Sequence, residues 1–402
     1  MSTELPPLVL PGAGPDAGTA PVDLDHAAST PPRPEARDAL HRWLDAANAS
    51  AGHVPGQAAR AAVEEARERC AAALGASPHE VVFTSGGTEA DNLAVKGVVW
   101  AARDRDRRVP HVVTTAVEHP AVLAPLRWLA ARGDCRLDVV PPDRDGTVPP
   151  DRVLAAVRDD TVLVSVMAAN NELGAINDVP ALAAALADRA VPLHADAVQA
   201  VATCDVDVDR WGTAALAVSG HKLGAPQGVG LAVLRRGLAV EPLAHGGGQD
   251  RGVRSGTFAT GLIAALGAGL GAAVADRTTL RARLSRLTDR LATGLLALDG
   301  VTRNGPVERS RRLPSHVHLS LAGVEPTALA LALDRAGLAT AGGSACSSGA
   351  PEGSPVLAAC GLDGTPLRLS LGWTSDAADV DRALDVLTDV VPQLRAGTWA
   401  LS

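Results

Sequence analysis

Lys222 is the residue of this sequence that is best placed to act as a nucleophile. It ends the stretch 219–222 (SGHK), directly after the apolar run 214–218, which is predicted to be a strand. Burial at a strand end would lower the pKa of the amine, as Schiff-base chemistry requires. The chain has two lysines, Lys96 and Lys222, among 37 Lys and Arg residues, and arginine cannot form an imine. Lysine at position 222 therefore indicates covalent chemistry, with a solvated surface lysine as the alternative.

Cys346 is the second candidate, because it lies in the Gly/Ser-rich stretch 342–349 (GGSACSSG). A cysteine in such a loop is accessible, whereas free cysteines are mostly buried in the core. Cys70 and Cys360 have apolar neighbours at helical spacing and are predicted to be core residues. The five cysteines are widely spaced with no C-x-x-C pair. This pattern favours a reducing compartment and argues against disulfides and against a metal site.

Two further motifs also follow predicted strands. Residues 85–89 (SGGTE) place Gly87 and Thr88 at the start of a predicted helix. Glycines let the backbone approach an anion, and a helix N-terminus supplies free N–H groups, so the motif suits a phosphate. An ordinary capped turn explains the motif equally well when it is considered alone, and only agreement with other motifs favours the phosphate site. Asp196, in residues 194–199 (HADAVQ), could pair with a cationic ring nitrogen or could cap a helix.

The elements that must position these residues alternate in type. Short β-branched runs are predicted to be strands at Val81–Thr84, His111–Ala116, Leu137–Val140, Thr161–Met167, Val191–Asp196, Ala214–Ser219 and Gly230–Leu234. Helical patterns lie between them at Ala90–Ala102, Ala121–Ala131, Asp151–Arg158 and Val179–Arg189. Such alternation predicts an α/β fold with a mostly parallel sheet sandwiched by helices. Ligands bind such sheets at the carboxyl ends of the strands, where the candidate residues fall.

The pattern changes after Thr260, where one long helical stretch runs to about Leu298. We therefore predict a flexible N-terminal arm (1–20), a large α/β domain (21–275) and a small α+β domain (276–402) that carries the Cys346 loop. The first residues of the large domain could join the small one. Within the small domain, the polar segment Arg303–Pro314 is predicted to be an exposed loop.

Composition excludes several classes of protein. The net charge of -8 argues against a nucleic-acid surface, which needs a dense basic face. Residues 1–20 lack a basic segment before their apolar run, so they do not resemble a secretory signal. Residues 255–275 carry no charge but consist largely of Gly and Ala, which favours a buried helix over a membrane span. We expect a cytoplasmic protein that binds neither membranes nor nucleic acid directly.

Taken in order, the motifs resemble those of class V of the fold-type I pyridoxal-phosphate (PLP) enzymes. Within this class the sequence is similar to the cysteine desulfurases whose catalytic loop reads G-S-A-C-[ST]-S. The resemblance covers nearly the whole chain and is carried by Leu24–Thr30, Ser85–Asn92, Val117–Leu123, Asn170–Glu172, His194–Gln199, Ser219–Lys222, Arg251–Thr257, Gly343–Ser348 and Leu367–Gly372. It implies the fold-type I architecture. Asp250 departs from the family pattern, which often has glutamate there.

The resemblance implies a role for each site residue. Lys222 would hold PLP and later move protons at the substrate Cα, while Cys346 would receive the sulfur. His119 would stack on the cofactor ring and exchange a proton with Cys346, and Asp196 would pair with the ring nitrogen. Gln199 would hydrogen-bond the phenolic oxygen of the cofactor, and Asn171 would also contact the cofactor. Asn171 and Arg368 would bind the substrate carboxylate. The phosphate end of the cofactor would be bound by Gly87, Thr88, Ser219, His221 and the partner subunit's Thr257.

The implied activity converts L-cysteine to L-alanine and leaves a persulfide on Cys346. It implies a homodimer and a sulfur-acceptor protein, which could be an iron–sulfur scaffold, a tRNA-thiolating enzyme or part of a DNA phosphorothioation system. Two alternatives remain open: a selenocysteine lyase or aminotransferase on the same fold, and a scaffold without cofactor. An aminotransferase would not need Cys346, and the presence of Lys222 with Asp196 argues against the scaffold.

Overall fold

A computed structural model describes residues 21–342 and 353–399. The predicted arm (1–20) and Cys346 therefore lie outside the described residues. The strands are β1 (Val22–Asp23), β2 (Val81–Thr84), β3 (His111–Thr115), β4 (Arg136–Val140), β5 (Thr161–Ser165), β6 (Leu193–Asp196), β7 (Ala215–Ser219), β8 (Gly230–Leu234), β9 (Val301–Asn304), β10 (His316–Leu321), β11 (Leu338–Ala339), β12 (Ala341–Gly342) and β13 (Thr365–Ser370). The helices are α1 (Pro34–Arg42), α2 (Val54–Leu74), α3 (Gly87–Asp106), α4 (Pro120–Ala131), α5 (Pro150–Ala156), α6 (Val179–Ala187), α7 (Val208–Trp211), α8 (Thr260–Leu296), α9 (Pro326–Arg335), α10 (Pro355–Ala359) and α11 (Ala377–Ala396).

The large sheet has the strand order β2-β8-β7-β6-β5-β3-β4. Strands β3 to β7 pair in parallel, and β8 runs antiparallel to both of its neighbours. Every residue of β3, β7 and β8 is buried, as expected for apolar strands that are covered on both faces. The predicted mostly parallel α/β sheet is confirmed.

A second, antiparallel sheet has the order β12-β13-β10-β9. Its apolar side chains, with leucines of α8 and α11, form a core that is separate from the core of the large sheet. Leu24 belongs to this second core, and β1 pairs with β11. The start of the described chain thus packs against the small sheet. The division at 275/276 remains a prediction, since α8 is continuous across it.

Helix α8 is 37 residues long and contains most of the charge-free stretch noted in the sequence. Ile263, Leu266 and Leu270 pack in the core of the large sheet, whereas Leu284 and Leu291 pack in the second core. Within the two described ranges, no helix combines the length and the apolar character that a membrane span requires.

The predicted exposed loop Arg303–Pro314 is wrong at both ends. Strand β9 includes Arg303, and only the middle of the segment is exposed. At the other end Leu313 is fully buried and its amide donates to the Gly174 carbonyl at 2.7 Å. Arg312 is buried beside Asp289, with 2.6 Å between the Nη2 and Oδ1 atoms. Arg312 therefore has a carboxylate partner inside the fold, which its local sequence does not indicate.

Candidate active site

A cavity of about 500 Å³ opens at the carboxyl ends of the parallel strands. It brings together most of the residues that the sequence singled out, although they come from separate elements. The predicted site residues that line it are Gly87, Thr88, His119, Asn171, Asp196, Gln199, Ser219, His221 and Lys222. Two others do not line it: Thr257 is exposed, and Arg368 is buried.

The start of α3 forms one end of the cavity. Gly86 is the N-cap with φ 156°, and Gly87 is the first helical residue. A Cβ on Gly87 would lie 2.8 Å from Val198 Cγ2, so glycine allows the start of α3 to pack this closely against Val198 at the cavity wall. The first N–H groups of a helix have no partner within the helix and attract anions. This end of the cavity is thus suited to a phosphate group.

Lys222 ends the short helical turn that follows β7. Its Nζ atom donates to the carbonyl oxygens of Ala27 and Ala28 at 2.5 and 2.8 Å. Both carbonyls belong to the segment after β1, so the chain's first described residues help to orient the amine. Gln199 donates to the same Ala27 carbonyl at 2.9 Å. Lys222 and Gln199 are therefore fixed relative to each other.

Burial shifts the pKa values of Asp196 and His119 in opposite directions. Asp196 ends β6 and is 5% exposed, and burial raises the pKa of its carboxyl while His119 opposes that change. Its Oδ1 accepts from the Val198 amide at 2.9 Å within a turn, so the alternative role as a helix cap is not found. Burial lowers the pKa of His119, and its Nδ1 accepts from the Ala121 amide at 3.1 Å. A neutral His119 thus carries its proton on Nε2.

Arg368 lies beside Asn171, and it also has a partner that the sequence did not reveal. Its Nη1 donates to the Asn171 carbonyl at 3.0 Å, and its Nη2 lies 2.7 Å from Asp25 Oδ1. The guanidinium is thereby oriented by an acid from the segment after β1. The acid is part of the motif 24–30, which was a signal of its importance, but sequence spacing indicated no pairing.

Two anchors flank the segment 343–352 that contains Cys346. Before it, Ala341 of β12 pairs with Arg368 of β13. After it, the Ser354 hydroxyl donates to Glu172 Oε2 at 2.6 Å. Because Glu172 follows Asn171, Ala341 and Ser354 both lie near the two predicted carboxylate-binding residues.

Three buried ionisable groups were not singled out from the sequence: Asp91, which lines the cavity, and Glu118 and His194, which do not. Asp91 and Glu118 are each 1% exposed, and burial raises the pKa of Glu118 to about 8. Glu118 Oε1 accepts from the Thr115 hydroxyl and the Met167 amide at 2.7 and 2.8 Å. His194 Nε2 lies 3.4 Å from Asp91 Oδ1. All three lie in motifs that carry the resemblance, but the motifs do not show that these side chains are buried, because burial of single polar residues is a tertiary property.

His194 makes folding sensitive to acid. Burial lowers the pKa of His194 to about 3 from its usual 6.5, so the unfolded chain binds the proton more readily between these pH values. Stability from this residue is complete above pH 6.5 and falls with pH, by about 1.4 kcal/mol per pH unit for one proton. We expect His194→Gln to reduce the pH dependence of urea unfolding by that amount between pH 6 and 4. Parallel pH profiles for the two proteins would contradict it.

The described residues contain no group of His, Cys, Asp and Glu side chains arranged to hold a metal ion. The site instead offers an amine, a buried acid and an anion cradle in one cavity at the edge of a mostly parallel sheet. This combination of fold and site is similar to that of the fold-type I PLP-dependent enzymes.

Comparison with known proteins gives the family. The family model described as aminotransferase class-V matches residues 22–383. An IscS-like cysteine desulfurase from Mycobacterium tuberculosis (strain ATCC 25618 / H37Rv) is 43% identical, over 94% of this chain and 98% of that protein. The chain belongs to the class-V aminotransferase family.

Two solved structures support the same conclusion. A NifS-like protein superposes with a TM-score of 0.86 at 29% identity, covering 93% of this chain and all of the other. A structure described as SspA in complex with cysteine has a TM-score of 0.75 at 30% identity, covering 88% of this chain and 99% of that one. The predicted fold class is confirmed.

Proposed function

We propose that this protein is a PLP-dependent cysteine desulfurase that converts L-cysteine to L-alanine and collects the sulfur as a persulfide on Cys346. The observation that carries the proposal is the single cavity in which Lys222, Asp196, His119 and the α3 cradle meet. The relatives support the reaction, since one is described as a cysteine desulfurase and another was solved with cysteine bound.

The residues of the cavity fit PLP. Lys222 would hold the aldehyde carbon, Asp196 the ring nitrogen, and the N-terminus of α3 with Ser219 the phosphate. The cavity shape agrees, because a side chain at Gly87 would collide with Val198 where the phosphate end lies. When bound, PLP supplies an electron sink that stabilises negative charge at the substrate Cα.

Lys222 and His119 would divide the proton transfers. The Lys222 amine would take the proton from the substrate Cα, since two backbone carbonyls already orient its Nζ. His119 is available as a neutral base because burial lowers the pKa of its ring. In the neutral form the hydrogen bond from Ala121 places the proton on Nε2. His119 would therefore need to reorient, or release Ala121, to accept a thiol proton through Nδ1.

Cys346 would attack the substrate sulfur as a thiolate. A sulfur–sulfur bond forms as the substrate Cβ–S bond breaks, and the electron pair of the broken bond is protonated so that alanine leaves. The contacts Ala341–Arg368 and Ser354–Glu172 support this role, since they place described residues before and after Cys346 near the proposed substrate end. Asn171 and Arg368 would bind the substrate carboxylate, with Asp25 orienting Arg368.

The partners follow from the same proposal. Thr257 is exposed and does not line its own chain's cavity, which supports a homodimer in which it reaches the second site. The persulfide would pass to an acceptor protein, such as an iron–sulfur scaffold or a thiolation enzyme. We propose a cytoplasmic location.

Asp196→Asn is expected to weaken PLP binding and to lower the rate of sulfide release by about 10²-fold, because a neutral amide stabilises a protonated ring nitrogen poorly. The variant is nearly isosteric, so the fold should persist. Equilibrium binding of PLP to the apoprotein and steady-state rates measure the two effects. Wild-type values for both would show that Asp196 does not contact the ring.

The direct test supplies the purified protein with L-cysteine and a thiol reductant and measures alanine and sulfide. Equal amounts of both products, from a yellow protein, are expected. Release of selenide from L-selenocysteine without sulfide from L-cysteine would indicate the lyase instead. Amino transfer to a keto acid without either product would indicate an aminotransferase.

A further inference from the structure

The cavity presents an electrostatic problem for a phosphate ligand. Glu89 lines it from the first turn of α3, beside the residues that would hold the phosphate. Burial disfavours ionisation of Glu89, but hydrogen bonds from Arg254 and Ser85 outweigh burial and lower its pKa. The Glu89 carboxylate is therefore a negative charge beside the expected position of the negatively charged phosphate. Among the described residues that line the cavity, Lys222 is the one Lys or Arg. His221 also lines the cavity, but burial lowers its pKa to about 4, so it is neutral near pH 7 and supplies no positive charge.

Arg254 does not line the cavity, but it forms an ion pair with Glu89. Its Nε lies 2.8 Å from Glu89 Oε1, and its Nη2 lies 3.4 Å from Oε2. The same Oε2 accepts from the Ser85 amide at 2.7 Å, so the carboxylate also fixes the turn before the cradle. A two-point Arg–carboxylate contact of this kind is geometrically specific.

The segment that carries Arg254 is itself held rigidly. Asp250 and Arg251 have φ values of 45° and 60°, a left-handed conformation that persists only where the surroundings enforce it. Asp250 Oδ2 accepts from the Phe83 amide at 3.0 Å, and Oδ1 lies 2.8 Å from Arg67 Nη2. The segment is thus attached at two points, to α2 and to β2, the strand that leads directly into the cradle.

We propose that Arg254 is a positioning residue of the phosphate end, which neutralises Glu89 and so allows the α3 cradle to accept the phosphate of PLP. The inference deepens the proposed function and rests on PLP being the cofactor. Arg254 acts through Glu89 and does not need to touch the ligand.

The test compares Arg254→Gln, Arg254→Lys, Glu89→Gln and the double variant Glu89→Gln/Arg254→Gln as apoproteins. Affinity is measured for PLP and, in parallel, for pyridoxal, which lacks the phosphate. We expect Arg254→Gln to weaken PLP binding on the order of tenfold, because an uncompensated carboxylate then faces the phosphate, and to leave pyridoxal binding unchanged. The Lys variant and the double variant should recover most of the affinity, since each restores charge balance.

The matched control is Arg69→Gln, which breaks the exposed ion pair Arg69–Glu65 on α2. It should bind PLP as the wild type does. Equal PLP affinity for Arg254→Gln and wild type would overturn the proposal, as would a double variant as weak as Arg254→Gln. Equal loss of pyridoxal and PLP affinity would also overturn it. Failure of the wild type to bind PLP at all would instead overturn the proposed function.

Discussion

Lys222→Arg is expected to lower the rate of sulfide release from L-cysteine by at least about 10³-fold, because a guanidinium can neither form an imine nor move the Cα proton. The change keeps a positive charge, and arginine can still donate to the Ala27 and Ala28 carbonyls that Lys222 contacts. Loss of activity would thus report on the amine itself. Borohydride reduction of the wild type, followed by peptide mass spectrometry, should place a pyridoxyl group on Lys222.

The chain offers one matched control for this experiment. Lys96 is the other lysine, and its Nζ lies 4.6 Å from the centre of the Trp128 ring. Arginine preserves such a cation–π contact, so Lys96→Arg should be fully active. A pyridoxyl group on Lys96, or an active Lys222→Arg variant, would remove the basis for the mechanism.

The second large effect is expected at Cys346. Cys346→Ser should lower sulfide release by about 10²-fold or more, since serine is not a nucleophile toward sulfur at neutral pH. PLP affinity and the yellow colour should not change, because the other contacts of the cofactor come from different residues. Incubation of the wild type with L-cysteine alone, followed by mass spectrometry, should show one added sulfur atom on Cys346.

Cys204→Ala provides the control, because Cys204 is half-buried and burial raises the pKa of its thiol to about 11. That variant should keep both the activity and the persulfide on Cys346. A persulfide that appears on another cysteine, or a Cys346→Ser variant with normal sulfide release, would contradict the assignment.

The sequence predicted the large sheet well because its strands are short, mostly apolar runs. Such runs can be recognised without knowledge of which distant elements they contact. The candidate site was predicted from these strands, since Asp196 ends β6 and Lys222 ends the short turn that follows β7. Ion pairs could not be predicted in this way. Asp25 and Arg368 are 343 positions apart, and Glu89 and Arg254 are 165 apart, so their pairing depends on how distant elements pack.

Local composition was misleading where a polar stretch is structured. The polar composition of Arg303–Pro314 predicted an exposed loop, yet Arg312 is buried against Asp289. Cys70 and Cys360 were predicted correctly as core residues, because helical spacing among apolar neighbours is a direct signature of burial. The placement of Cys346 itself remains a prediction, since it lies outside the described parts of the chain.

The continuity of α8 has a practical consequence for dissecting the protein. At 1.5 Å per residue, its 37 residues extend over about 55 Å and supply apolar side chains to both cores. Cutting the chain near residue 275 would divide the helix and leave Leu24, a member of the second core, on the first fragment. Neither fragment expressed alone would bury its apolar surface, so both should aggregate, whereas co-expression should yield a soluble complex of the two pieces.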